Sequence, residues 1–133
     1  MNLSSTLATL ERLVAFDTVS SRSNLALIEW VANRLDDHGI KAYVQPGDEP
    51  GKANLFATIG PAYRPGVMLS GHSDVVPVAG QDWTTDPLDR TERNGRWLGR
   101  GSADMKGFIA CCVDAIPRLV SACLLYTSDA ADE

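Results

Sequence analysis

Two histidines occur in the 133 residues, and one of them stands two positions before an aspartate in the run MLSGHSDVVPV, residues 68–78. In an extended chain, residues i and i+2 point to one face, so His72 and Asp74 can meet there. An imidazole that ligates a metal through one nitrogen usually donates its other N–H to a carboxylate, which fixes the tautomer and raises basicity. His72-x-Asp74 suits that chemistry. A hydrogen-bonded structural pair with no metal suits it equally. A second run, GRGSADMKG at 99–107, sets Asp104 just ahead of an apolar helical stretch, behind glycines that allow unusual backbone angles. An acid in that place is an N-cap in one reading. In the other it projects a carboxylate from a sheet edge, where the ligand sites of α/β folds collect.

The elements that must hold these residues alternate between helix and strand. Ser4 or Ser5 can cap a first helix in which Leu7, Leu10, Leu13 and Val14 recur at helical spacing. DTVSSRSN breaks it. A second helix is predicted over about residues 24–38, with Ile28, Val31, Ala32 and Leu35 on one face and Gly39 placed to end it. IKAYVQP and ANLFATIG read as short strands, and VMLSGHSD as the strand that carries His72 and Asp74. A long polar loop, GQDWTTDPLDRTERNG, leads to RWLGRG. From Met105 a helical pattern runs through KGFIACCVDAIPRLV, with Pro117 expected to bend or end it. Helices interleaved with short buried strands predict an α/β layered sheet.

Length allows one domain with a modest core. A formal charge of −5 with no Lys/Arg cluster argues against a nucleic-acid partner, and no apolar run approaches a membrane span. The opening residues lack a signal-peptide core. Three cysteines, Cys111 and Cys112 adjacent among them, make no metal-type spacing and read as free thiols of a reducing compartment, with a cytoplasmic location expected. Residues 122–133 stand apart: they hold three acids and no base, and CLLYTSDAADE shows no helical periodicity. That end reads as an atypical tail, a truncation or frame scar, on a domain portion spanning 1–121.

Three motifs, GHSDVVP at 71–77, DWTTDP at 82–87 and GRGSADMKG at 99–107, resemble in order and spacing those of the zinc-dependent aminoacylase/carboxypeptidase metallopeptidases, the M20-type family. The resemblance implies a layered α/β/α catalytic domain, truncated here, with the lid (dimerisation) domain absent. It implies His72 as a zinc ligand, Asp104 as the carboxylate bridging two zincs, and Asp74 as the catalytic acid that orients His72. Cobalt or manganese can substitute at such N/O sites. It also implies a cis peptide after Asp104. Trp83 and Pro87 are expected to fix the loop beside the site, and Leu88 stands where the family usually has Phe. Lys106 and Arg100 are assigned surface solvation or local hydrogen bonding, and His38 a capping or solvated role.

Within the family the stretch from about residue 7 to 120 is most similar to the acetylornithine deacetylases. A succinyl-diaminopimelate desuccinylase, another aminoacylase or carboxypeptidase, and a non-catalytic fragment are the alternatives. The implied substrate is a small N-acylated amino acid, and the implied assembly is a homodimer through the lid. The family's Glu-Glu pair, its general base and a further ligand, has no match here; Asp129 or Glu133 is a poor stand-in. The 133 residues alone are therefore expected to be inactive.

Overall fold

The computed structural model describes residues 2–61, 63 and 65–128, with the side chains of 123–128 left aside. Helix α1 spans Leu3–Ala15 and α2 Leu25–Asp36. Strands β1 (Tyr43–Pro46) and β2 (Ala53–Phe56) form one antiparallel pair, and β3 (Thr91–Arg93) and β4 (Arg96–Leu98) another. A π-type turn, Ser102–Lys106, feeds α3, Gly107–Ser128.

Asn2, not Ser4 or Ser5, caps α1: its backbone is extended and its side-chain Oδ1 accepts the Ser4 N–H at 3.2 Å, which puts both serines inside the first turn. The buried stripe of α1 is Thr6, Thr9, Leu10, Leu13 and Val14, so two threonines stand where Leu7 was expected. Helix α2 buries Leu27, Ile28 and Leu35, with Val31 packed at the edge. Gly39 does end it. With φ at 72° it lets its own N–H reach the Asp36 carbonyl and that of Ile40 reach Leu35, a Schellman closure.

Three sequence expectations are corrected. VMLSGHSD forms no strand among the described residues; a parallel bridge between Val75 and Val19 comes only just after it. Val67 and Met68 are 90% and 77% exposed, so the run is extended and apolar yet has no neighbouring backbone to pair with. The polar loop, in contrast, contains the hairpin of β3 and β4. Asn94 and Gly95, at φ 54° and 70°, make the tight turn whose twist matches its strands. Helix α3 passes through Pro117 and continues to Ser128. The proline lies on the exposed face, while Val113 and Ile116 before it are anchored in the core. Residues 123–128 thus continue a helix, and Asp129 and Glu133 lie outside the described residues.

Ala110, Val113 and Ile116 carry the α3 face that closes the core. Ala110 packs with Leu10, Leu13, Val14, Leu27 and Ile28, while Val113 and Ile116 pack with Leu35 and Ile40. Leu13 and Leu27 are fully buried, each contributing about 1.5–3 kcal/mol. The α/β class holds, with the helices forming one layer against short antiparallel pairs. No helix among the described residues is long and apolar enough to cross a membrane.

Candidate metal centre

Residues 17–20, read as no more than a helix breaker, form the edge on which the His72 segment hangs. The Val75 N–H donates to the Thr18 carbonyl at 3.0 Å, the Ser20 N–H to the Val75 carbonyl at 3.0 Å, and the Thr18 hydroxyl to the Ser73 carbonyl at 2.6 Å. Asn24 adds a bridge, donating from Nδ2 to the Ala53 carbonyl at 2.9 Å and the Ser73 hydroxyl at 3.3 Å. These bonds do locally what a full strand ladder was expected to do.

His72 and Asp74 then meet as their spacing predicts. Nδ1 of His72 lies 3.2 Å from Asp74 Oδ1 and 3.1 Å from the Asp74 carbonyl oxygen. On the other side of the ring, Nε2 lies 3.1 Å from Asp104 Oδ1. The Ser20 hydroxyl donates to Asp74 Oδ2 at 2.7 Å, a contact the sequence reading missed. Desolvation works against the imidazolium, but the Asp74 carbonyl and the two carboxylates outweigh it and raise the His72 pKa. The Ser20 hydrogen bond, helped by His72 and opposed by desolvation, lowers that of Asp74.

Asp104 is delivered by a turn that only glycines fit. A Cβ on Gly101, at φ 82°, would lie 2.7 Å from Val75 Cγ1, and one on Gly107 would lie 2.4 Å from the Ser102 carbonyl oxygen. Asp104 and Met105 leave helical angles, and the bond between them is cis, as the resemblance implies. The Asp104 carboxylate is left 86% exposed at the mouth of a cleft of about 250 Å³ that Ser20, His72, Asp74 and Arg100 also line.

Lys106 corrects the expectation of surface solvation. It is 0% exposed, and its ammonium donates to the Phe16 carbonyl at 2.7 Å, tying the turn to the C-terminal end of α1. Burial, opposed by the nearby Asp17, lowers its pKa to about 8. Arg100 stacks on Trp83 at 5.0 Å and donates to the Gln81 side chain, which also accepts the Trp83 indole N–H at 3.1 Å. The Arg100 N–H donates to the Pro87 carbonyl at 2.6 Å, so Trp83 and Pro87 sit in the loop that borders the cleft. Leu88 is half-buried, its N–H on the Asp86 carboxylate at 2.9 Å. His38 stands apart from the cleft, in the turn that closes α2 and beside a broader groove lined by Ile40, Tyr43 and Phe56. Cys111 and Cys112 are free thiols.

His72 Nε2 and Asp104 Oδ1 are close enough to serve as two ligands of one divalent ion, with bond lengths near 2.0–2.2 Å. The donor set fits as a nitrogen and a carboxylate oxygen, with the imidazole's far nitrogen already supported. Among the described residues, no cluster of three or more His, Cys, Asp or Glu side chains is arranged to grip an ion by itself.

Known proteins share this stretch. The model of the family described as Peptidase family M20/M25/M40 matches residues 68–124. An acetylornithine deacetylase of Proteus mirabilis (strain HI4320) is 42% identical over 123 residues, covering 90% of this chain and 32% of that protein. One from Pasteurella multocida (strain Pm70) is 41% identical over 114 residues, 80% of this chain and 30% of that protein. The crystal structure of human carnosine dipeptidase 1 superposes with a TM-score of 0.70 at 25% identity, covering 88% of this chain and 28% of that one. The chain spans about a third of the length of the curated relatives it matches. His72, Asp74 and Asp104 all lie within the stretch, residues 68–124, that matches the model of peptidase family M20/M25/M40.

Proposed function

We propose that the chain is the part of a metal-dependent amide hydrolase that supplies one histidine and one carboxylate to the metal centre, and that the whole enzyme is an acetylornithine deacetylase. The supporting observation is the pairing of His72 with Asp74 at one nitrogen and with Asp104 at the other. The likeness to deacetylases near 40% identity supports the substrate, N2-acetyl-L-ornithine, hydrolysed to ornithine and acetate for arginine biosynthesis. A bound divalent metal, zinc by resemblance with two ions in the complete enzyme, would supply Lewis acidity toward the scissile carbonyl. His72 and Asp104 would hold it. Asp74 accepts a hydrogen bond from the His72 Nδ1–H, which leaves the Nε2 lone pair directed into the cleft. A cytoplasmic location and a homodimer formed through a lid domain belong to the same reading.

No general base is identifiable among the described residues, and two ligands are fewer than a catalytic zinc requires. The 133 residues alone are therefore inactive under this proposal. The test joins residues 1–121 to the remaining part of the Proteus mirabilis relative and assays that chimera and the 133-residue chain with N2-acetylornithine and Zn²⁺ or Co²⁺. Ornithine release by the chimera alone, abolished by His72→Ala and by Asp104→Asn, is the expected result. A folded, metal-loaded chimera that instead turns over N-succinyl-diaminopimelate overturns the substrate. One that turns over neither overturns the reading, and release by the short chain overturns its inactivity.

A further inference from the structure

Asp74 faces His72 Nδ1 with two oxygens, its fixed carbonyl at 3.1 Å and its carboxylate Oδ1 at 3.2 Å, and only the carboxylate, 49% exposed, depends on keeping one orientation. An exposed aspartate has several rotamers open to it and water for company. Among the described residues its two oxygens have one side-chain partner each: Oδ1 faces His72 Nδ1 at 3.2 Å, and Oδ2 accepts the Ser20 hydroxyl at 2.7 Å. The serine is itself well held. Its N–H is bonded to the Val75 carbonyl at 3.0 Å, its carbonyl accepts the Lys52 ammonium at 2.6 Å, and that ammonium also reaches the Arg22 carbonyl at 2.5 Å. An Arg22–Asp17 ion pair closes the same loop. The hydroxyl therefore comes from a fixed backbone to a carboxylate whose other oxygen faces His72.

We propose that Ser20 is a positioning residue for the metal centre: its hydroxyl fixes which oxygen of Asp74 faces His72, and so keeps the imidazole proton on Nδ1 and Nε2 free to bind metal. This rests on the reading of His72 as a ligand. A serine that merely closed the 17–22 loop would leave the imidazole unchanged when its hydroxyl was removed.

The test uses the 133-residue chain, its Ser20→Ala and Ser20→Thr variants, and His72→Ala as the control, with circular dichroism to verify the fold. Ser20 is exposed, so its variants leave the core untouched. Long-range ¹H–¹⁵N spectra of the neutral His72 ring report the tautomer without metal, and broadening of the same ring resonances during Co²⁺ titration reports affinity. In Ser20→Ala the Nε2–H tautomer gains at the expense of Nδ1–H, and the Co²⁺ dissociation constant rises about 10-fold, the lower end of what supporting groups carry. Ser20→Thr restores both. An unchanged tautomer together with an affinity within about twofold of wild type in Ser20→Ala overturns the proposal. A wild-type His72 that does not respond to Co²⁺ overturns the metal reading, while the tautomer comparison still decides whether Ser20 holds the ring.

Discussion

Lys106 carries a charge into the interior, and the pH response of the fold follows from it. Among the described residues its one acceptor is the Phe16 carbonyl, and burial lowers its pKa to about 8, against 10.5 for an unperturbed lysine. Between those values the unfolded chain holds a proton that the folded chain has released, so stability rises with pH. The contribution is complete above the unfolded value and is lost as pH falls through the folded one. Integrated from pH 7 to pH 10, it amounts to about 2–3 kcal/mol. The informative perturbation is Lys106→Met, which keeps the apolar stem and removes the ammonium. At pH 7 the variant sheds a buried charge but leaves the Phe16 carbonyl unpaired. Those effects oppose each other at about 1–3 kcal/mol each, so the two proteins stay close in stability. By pH 10 the wild type has gained about 2–3 kcal/mol on the variant. Urea unfolding followed by circular dichroism at pH 7, 8, 9 and 10, with EDTA present, reads this out. Cysteine and tyrosine titrations occur in both proteins and cancel in the difference. A difference constant to within about 0.5 kcal/mol over that range refutes the buried ammonium.

Gly101→Ala destabilises by about 2–4 kcal/mol, from left-handed strain plus a clash with Val75, and urea midpoints check it. Gly95→Ala, at φ 70°, costs only about 1–2 kcal/mol, because nothing packs around that turn. The hydroxyls of Ser5 and Thr6 hold Asp114 below the ordinary carboxylate range. That stability is present above the unfolded pKa and lost as pH falls through the folded one. Thr6→Val therefore lowers the urea midpoint at pH 7, and its deficit against wild type shrinks as pH falls and the Asp114 carboxylate is protonated.

Where a short-range rule decided the structure, the sequence was readable. Gly39 ends α2 because only a left-handed residue closes a Schellman motif, and that preference is local. Asp104 was placed correctly because glycines frame a turn that a Cβ would block. The His72 segment was read as a strand from its apolar pattern, but a strand needs a partner, and pattern carries no news of one. The β3–β4 hairpin was missed because charges at Glu92, Arg93 and Arg96 masked the strand signal, although Asn94-Gly95 announced the turn. Lys106 was misread because lysines are rarely buried, and nothing nearby in sequence reveals that the Phe16 carbonyl waits for it. Ser20 escaped notice for the same reason: its partner is 54 residues away.

The tether between Lys106 and Phe16 spans 90 residues, and that between Thr6 and Asp114 spans 108. On a ribosome adding about 5–20 residues per second, α1 emerges roughly 5–20 seconds before the segment it must pack against exists. During that wait Leu10, Leu13 and Val14 have Leu27, Ile28 and Ala53 to pack against, but the side of the cluster that Ala110 closes stays open to water. Folding that depends on such distant contacts is slow to begin. A nascent chain halted short of residue 104 holds His72 and Asp74 but has not yet made the carboxylate that His72 is to meet.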